Sequence, residues 1–200
     1  MSNYMSFFSA PISPYTDEHG VRHQSSMRPL KSVTVEEVHR MILYDQNLKS
    51  TTEKVREAED FRSAKSRMLP FITPFGTFSY RRSTHIKALS GLIPLDIDGL
   101  NSEEEAQEFR DEVFTNNFVR PQLAFVSPSG RGVKVFVPYQ IGGEKRLPSL
   151  DWISETQEAL NEYIETWWGF SAKAKLDHSG RDIVRACFLC HDPGVKFRET

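Results

Sequence analysis

Apolar positions recur along the chain with two periods, and each change of period marks an element. Thr34 and Glu37 form a capping box, and Val35, Val38, Met41 and Ile42 follow at helical spacing, predicting a helix over about 34–46. A second, more polar helical stretch covers about 52–66. In MLPFITPFGTFSYRR, Pro70, Pro74 and Gly76 break any helix, and the aromatics predict short strands or a hairpin. Leu92–Asp98 reads as a buried strand ended by Gly99, and Ser102 with Glu105 opens a helix over about 103–116. Leu123–Ser127 and Val133–Tyr139 flank a glycine-rich turn and predict a β-hairpin. A long helix over about 150–167 carries Trp152, Ile153, Leu160, Tyr163 and Ile164 on its apolar side, with Trp167 and Trp168 at its end as core or helix-end anchors. Val184–Leu189 is the last strand.

Residues 1–30, with Pro11, Pro14, Gly20 and Pro29, predict an irregular arm holding one short strand around Phe7. Residues 31–200 then form one domain. Helices and hairpins in this order predict an α+β fold with a mainly antiparallel sheet, flanking helices and a helical or irregular N-terminal region.

The length, 200 residues, suits one domain with a real core, and 38% hydrophobic and 26% charged residues are ordinary for a globular chain. No apolar run approaches the roughly 18 residues a membrane helix needs. The N-terminus lacks a basic segment followed by an apolar one, so no secretory signal is read and a cytoplasmic setting is expected. A net charge of −2 excludes a chain that binds nucleic acid by bulk charge. The distribution is uneven: Glu103, Glu104, Glu105, Glu108, Asp111 and Glu112 crowd one helix. Arg120, Arg131, Lys134, Lys145 and Arg146 then follow with only Glu144 between them, enough for a local phosphate-binding surface. Cys187 and Cys190 form a CxxC, but a zinc ribbon needs a second ligand pair, and the context predicts two buried thiols.

Three constellations carry chemistry. Alternation puts Asp96 and Asp98 on one face of a strand whose other positions are apolar. Adjacent carboxylates repel unless a cation sits between them, and a hard ion, Mg²⁺ or Mn²⁺, accepts carboxylate oxygens while leaving positions for water and phosphate. In Ser127-Pro-Ser129-Gly130-Arg131-Gly132-Val133-Lys134, Gly130 and Gly132 permit close backbone approach to an anion, Ser129 supplies a hydroxyl, and Arg131 and Lys134 supply charge. The spacing of a P-loop is absent. Asp177 is placed to complete a three-carboxylate metal site, and Arg185 to reach a triphosphate. His178 reads as a turn histidine and an outside candidate for a ligand, Asp182 as an Arg partner or turn residue, and His191-Asp192-Pro193 as a turn in which Asp192 is an outside candidate for a substrate contact.

An acid-x-acid strand, a serine/glycine hairpin with a cation on its second strand, and a single Asp before an Arg-bearing strand together resemble the archaeo-eukaryotic primase superfamily. In particular they resemble the primase-polymerase-like module at the N-terminus of bacterial VirE-type proteins. The matching stretches are TPFGTFSYRR, PLDIDGL, FVSPSGRGVKVFV and LDHSGRDIVRACFLCHDP, spanning roughly 70–193. The resemblance implies an RRM-like primase-polymerase core in which Asp96, Asp98 and Asp177 bind the catalytic metals. Ser129, Lys134 and Arg185 would contact nucleotide phosphates. It further implies template-directed joining of nucleoside triphosphates on single-stranded or template-primer nucleic acid, in replication of bacterial or mobile-element DNA, with a helicase domain or protein as a partner. One departure is Lys134, where many members carry histidine: a lysine still neutralises phosphate but is no near-neutral acid or base.

Two rival readings remain. One is a catalytically degenerate nucleic-acid-binding replication module, which Lys134 favours. The other is a haloacid-dehalogenase-type phosphatase, whose nucleophile strand also ends in Asp-x-Asp-Gly. Against it, Leu100 stands where Thr is usual, and the late Gly-Asp…Asp pair is missing.

Overall fold

The structure, a computed structural model, describes residues 4–139, 149–168, 175–176 and 182–199. The strands are β1 (Tyr4–Phe8), β2 (Tyr15–Thr16), β3 (Arg22–His23), β4 (Lys31–Thr34), β5 (Phe71–Thr73), β6 (Gly76–Phe78), β7 (Ile86–Leu89) and β8 (Leu92–Asp98). After them come β9 (Leu123–Val126), β10 (Gly132–Pro138), β11 (Lys175–Leu176), β12 (Cys187–Phe188) and β13 (Lys196–Phe197). The helices are α1 (Val35–Tyr44), α2 (Gln46–Glu57), α3 (Phe61–Met68), α4 (Glu103–Thr115) and α5 (Leu150–Trp168). One sheet has the order β12-β5-β1-β4 and another β11-β8-β10-β9-β13, while β2 pairs β3 and β6 pairs β7. The pairings are antiparallel, as an α+β fold predicts.

The five-stranded sheet has two buried faces, and its sequence explains both. Ile93, Leu95 and Ile97 of β8 and Val133, Val135 and Val137 of β10 alternate onto one face, where Ala106, Phe109 and Val113 of α4 and Ile164 of α5 cover them. The other face carries Leu92, Leu123, Phe125 and Phe136, which join Met5, Val33, Ile72, Val38 and Ile42 in a second core. That face turns polar toward one end. Along β8 it runs from Leu92 to Asp96 and Asp98, and along β10 from Phe136 to Lys134. A cleft opens where the apolar filling stops.

Several expectations hold in detail. Thr34 and Glu37 close the capping box of α1, and β8 and the β9–β10 hairpin fall where the periodicity puts them. Other elements differ. The polar helix expected over about 52–66 is two helices, because Asp45 accepts from Asn47 and Leu48 N–H to cap α2, and Asp60 accepts from Ser63 N–H to cap α3. β5 and β6 do not form a hairpin with each other: β5 pairs β1 and β12, and β6 pairs β7. The expected strand Val184–Leu189 shortens to β12, and β13 was not foreseen. The short strand expected around Phe7 is present as β1, but it is built into a sheet rather than lying in an irregular arm. β1 lies between β4 and β5, with Met5 and Phe8 fully buried and Phe8 stacked on Phe71 at 4.9 Å. Among the described residues no helix is long and apolar enough to cross a membrane.

One buried ion pair ties three segments together. Arg110 of α4, 6% exposed, donates through Nη1 to both oxygens of Asp192, 4% exposed, at 2.9 and 3.1 Å. Asp192 also accepts from the backbone N–H of Val126 at 2.7 Å and of Gly194 at 2.9 Å. It is therefore a structural carboxylate rather than a substrate contact. Asp192→Ala would leave the Arg110 guanidinium buried without this acceptor, and a loss of about 3–5 kcal/mol in unfolding free energy is expected. Urea denaturation measures it; a loss under about 1 kcal/mol would mean the pair is dispensable.

Candidate functional site

The hairpin register builds the site. β8 and β10 pair so that Gly132 lies opposite Asp98 and Lys134 opposite Asp96. A side chain at 132 would strike the Ile97 carbonyl and approach Asp98 Oδ1 to 2.8 Å and Ser127 Oγ to 2.9 Å, so only glycine lets the strands meet with the carboxylate between them. Gly130 holds φ at 73°, the left-handed region that suits glycine. Arg56 of α2 clamps the turn from outside, donating to the Pro128 carbonyl at 3.2 Å and to Glu103 at 3.2 Å.

Asp96 and Lys134 form an ion pair with side chains 24% and 13% exposed. Burial opposes the charge on Lys134, but Asp96 and, less strongly, Asp98 outweigh it and hold the lysine above its ordinary value. Lys134 thus offsets the carboxylate repulsion that the sequence assigned to a metal. Apart from this pair, Asp96 Oδ1 is buried and accepts no hydrogen bond among the described residues.

These groups line a cleft of about 510 Å³. Asp96, Asp98 and Lys134 come from the five-stranded sheet, and Ser127, Ser129 and Arg131 from the hairpin turn. Arg185 comes from the segment leading into β12, and Phe188 from β12 itself, in the other sheet. Phe61, Arg62 and Lys65 come from α3. The described lining carries five cations, Arg62, Lys65, Arg131, Lys134 and Arg185, against two carboxylates. Such a cleft attracts a polyanion of small-molecule size.

The structure brings together Asp96, Asp98, Ser129, Arg131, Lys134 and Arg185, as expected. It does not use the glycines as expected. Gly130 and Gly132 shape the turn rather than line the cleft, and the turn uses its own donors: Gly130 N–H bonds the Ser127 carbonyl at 2.9 Å and Arg131 N–H the Ser129 hydroxyl at 3.2 Å. Ser129 also shares a hydrogen bond with Ser127 at 3.0 Å. Asp177, His178, Lys145 and Arg146 lie outside the described residues; β11, which precedes Asp177, pairs Leu176 with Ile97. Asp182 is a turn residue, accepting from Val184 N–H at 3.1 Å. Cys187 and Cys190 are free, buried thiols. Burial pushes Cys187 up to about 12 and Cys190 up as well, so neither forms a thiolate at neutral pH.

Sequence reasoning missed the α3 wall. Its only signal was Phe61 and Lys65 four residues apart on a helix, which face one way but belong to no motif. Among the described residues no group of three or more His, Cys, Asp or Glu side chains is placed to hold a metal. Asp96 and Asp98 supply hard oxygen donors, which suit a cation in kind, although Lys134 is paired with Asp96 Oδ1. A phosphatase built from successive βα units has a parallel sheet. Here both neighbours of β8, β10 and β11, are antiparallel, which speaks against that rival.

Fold and site together define an α+β domain with a cationic cleft around a carboxylate pair. The profile of the BT4734-like N-terminal domain family matches residues 63–197, and the chain belongs to that family. No curated protein and no solved structure matches it.

The ion pair has a signature in alkali. Because the folded pKa of Lys134 lies above its ordinary 10.5, the stabilisation is complete below that value and fades as pH rises through the higher folded one. Urea midpoints of wild type and Lys134→Met from about pH 8 to about 11.5 should therefore converge only at the alkaline end. A constant gap across the range would mean that Lys134 gains nothing from Asp96.

Proposed function

We propose that this chain is a metal-dependent nucleotidyltransferase of primase-polymerase type, acting in replication of bacterial or mobile-element DNA. What carries the reading is one cleft in which five cations surround two carboxylates on adjacent same-face positions of one strand. A triphosphate brings several negative charges and a divalent ion, and this lining is complementary to both.

Asp96 and Asp98, joined by Asp177, would hold Mg²⁺ or Mn²⁺. When bound, such an ion lowers the pKa of an attacking hydroxyl and neutralises charge on the departing pyrophosphate. The protein's own groups do the rest. Lys134, Arg131 and Arg185 neutralise and orient the phosphates, and the Ser129 hydroxyl, exposed at the turn, donates to a phosphate oxygen. Lys134 acts as a fixed charge, since its raised pKa keeps it protonated at neutral pH. The partners are nucleoside triphosphates, single-stranded or template-primer nucleic acid and a helicase domain or protein, in the cytoplasm.

A second reading, a degenerate nucleic-acid-binding module, is favoured by the Asp96–Lys134 pair, which occupies a carboxylate that catalysis would need. The two separate on incubation with a primed template, labelled nucleotides and Mn²⁺. The polymerase reading expects extended product, reduced at least about 100-fold by Asp96→Ala or Asp98→Ala with the thermal transition retained. Full activity in either variant refutes the assignment. Metal-dependent nucleotide binding without extension by wild type supports the degenerate module.

A further inference from the structure

The α3 wall supplies two of the five cations of the cleft, Arg62 and Lys65. Lys65 stands in the last turn of α3, where the helix dipole favours a cation. Its Nζ lies 5.5 Å from the centroid of Phe61 in the same helix and 5.3 Å from that of Phe188 in β12. Two rings from two elements therefore hold the ammonium at the cleft, so its position does not depend on a flexible stem. The side chain is half-buried, and among the described residues no carboxylate is paired with it. Burial, followed by the charge of Lys134, lowers its pKa, and Asp98 and Asp96 offset this only in part.

A half-buried cation without an acid partner is costly unless an anion comes to it. Lys65 and Lys134 feel each other's charge yet stand on different elements, one on α3 and one on β10. A group bearing several negative charges between them relieves both, whereas a single phosphate has less charge to share. Arg62, exposed on the same helix and lining the same cleft, adds to the demand for an anion.

We infer that Lys65 is a phosphate-binding residue that, with Lys134, holds the terminal phosphates of a nucleoside triphosphate. This deepens the nucleotidyltransferase reading and rests on it. Phe61 and Phe188 are then positioning residues, which aim the ammonium without touching the substrate.

Calorimetric titration of the full chain with adenosine tri-, di- and monophosphate in Mn²⁺ tests it, in wild type, Lys65→Met and Lys65→Arg. Lys65→Met should weaken triphosphate binding about tenfold or more and monophosphate binding less than about twofold, with Lys65→Arg recovering most of the loss. The melting temperature should hold or rise, because an unpaired half-buried charge is removed. Triphosphate affinity unchanged in Lys65→Met, or an equal loss for all three nucleotides, overturns the role of Lys65 while leaving the proposed function standing. No triphosphate binding by wild type overturns both. Should Lys65→Met lose its thermal transition, Lys65→Gln carries the same comparison.

Discussion

The alignment of β8 against β10 is the constraint on which the site depends. One strand contributes Asp96 and Asp98, the other Gly132 and Lys134, and their pairing sets acid against glycine and acid against lysine. A slip of one residue would turn both acids toward Phe109 and Val113, where no partner awaits them, and would turn Ile97 into the cleft. The missing side chain at 132 resists such a slip, since the Ile97 carbonyl fills the space a Cβ would need. Packing and electrostatics thus favour the same register.

The cleft follows from how the two sheets share one core. Phe125, Phe136 and Leu92 from the five-stranded sheet meet Ile72, Met5 and Cys187 from the four-stranded one, and the contact ends where β8 and β10 turn polar. Because Phe188 belongs to the second sheet, Arg185 to the segment leading into it and Asp96 to the first sheet, the site is assembled across the junction rather than within a single motif. The Arg110–Asp192 pair reinforces that junction by tying α4 and the end of β9 to the segment that follows β12.

Much of this was legible in the residues, for physical reasons that differ by element. β8 could be read because a strand buried on both faces leaves a continuous apolar run, and its interruption by two acids on one face has no cheap explanation. The β9–β10 hairpin could be read because Gly130 and Gly132 mark a turn that other residues do not make. Lys65 could not. Its meaning lies in Phe188, more than a hundred positions away, and only tertiary contact joins them. The roles of the turn donors were also hidden, because whether a backbone N–H is free depends on bonds within the turn. β1 reads as a strand within an irregular arm because prolines downstream of it dominate the local composition, while its partners lie in β4 and β5.

β1 has a consequence for the extent of the domain. Similarity to the family begins at residue 63, yet β5 takes one of its two neighbours from residues 4–8. A shorter piece begun at the start of that similarity would strip Phe8 from the face of Phe71 and leave β5 with a bare edge. Such an edge is a template for other chains, and aggregation rather than a smaller working unit is the natural outcome. What folds is longer than what matches.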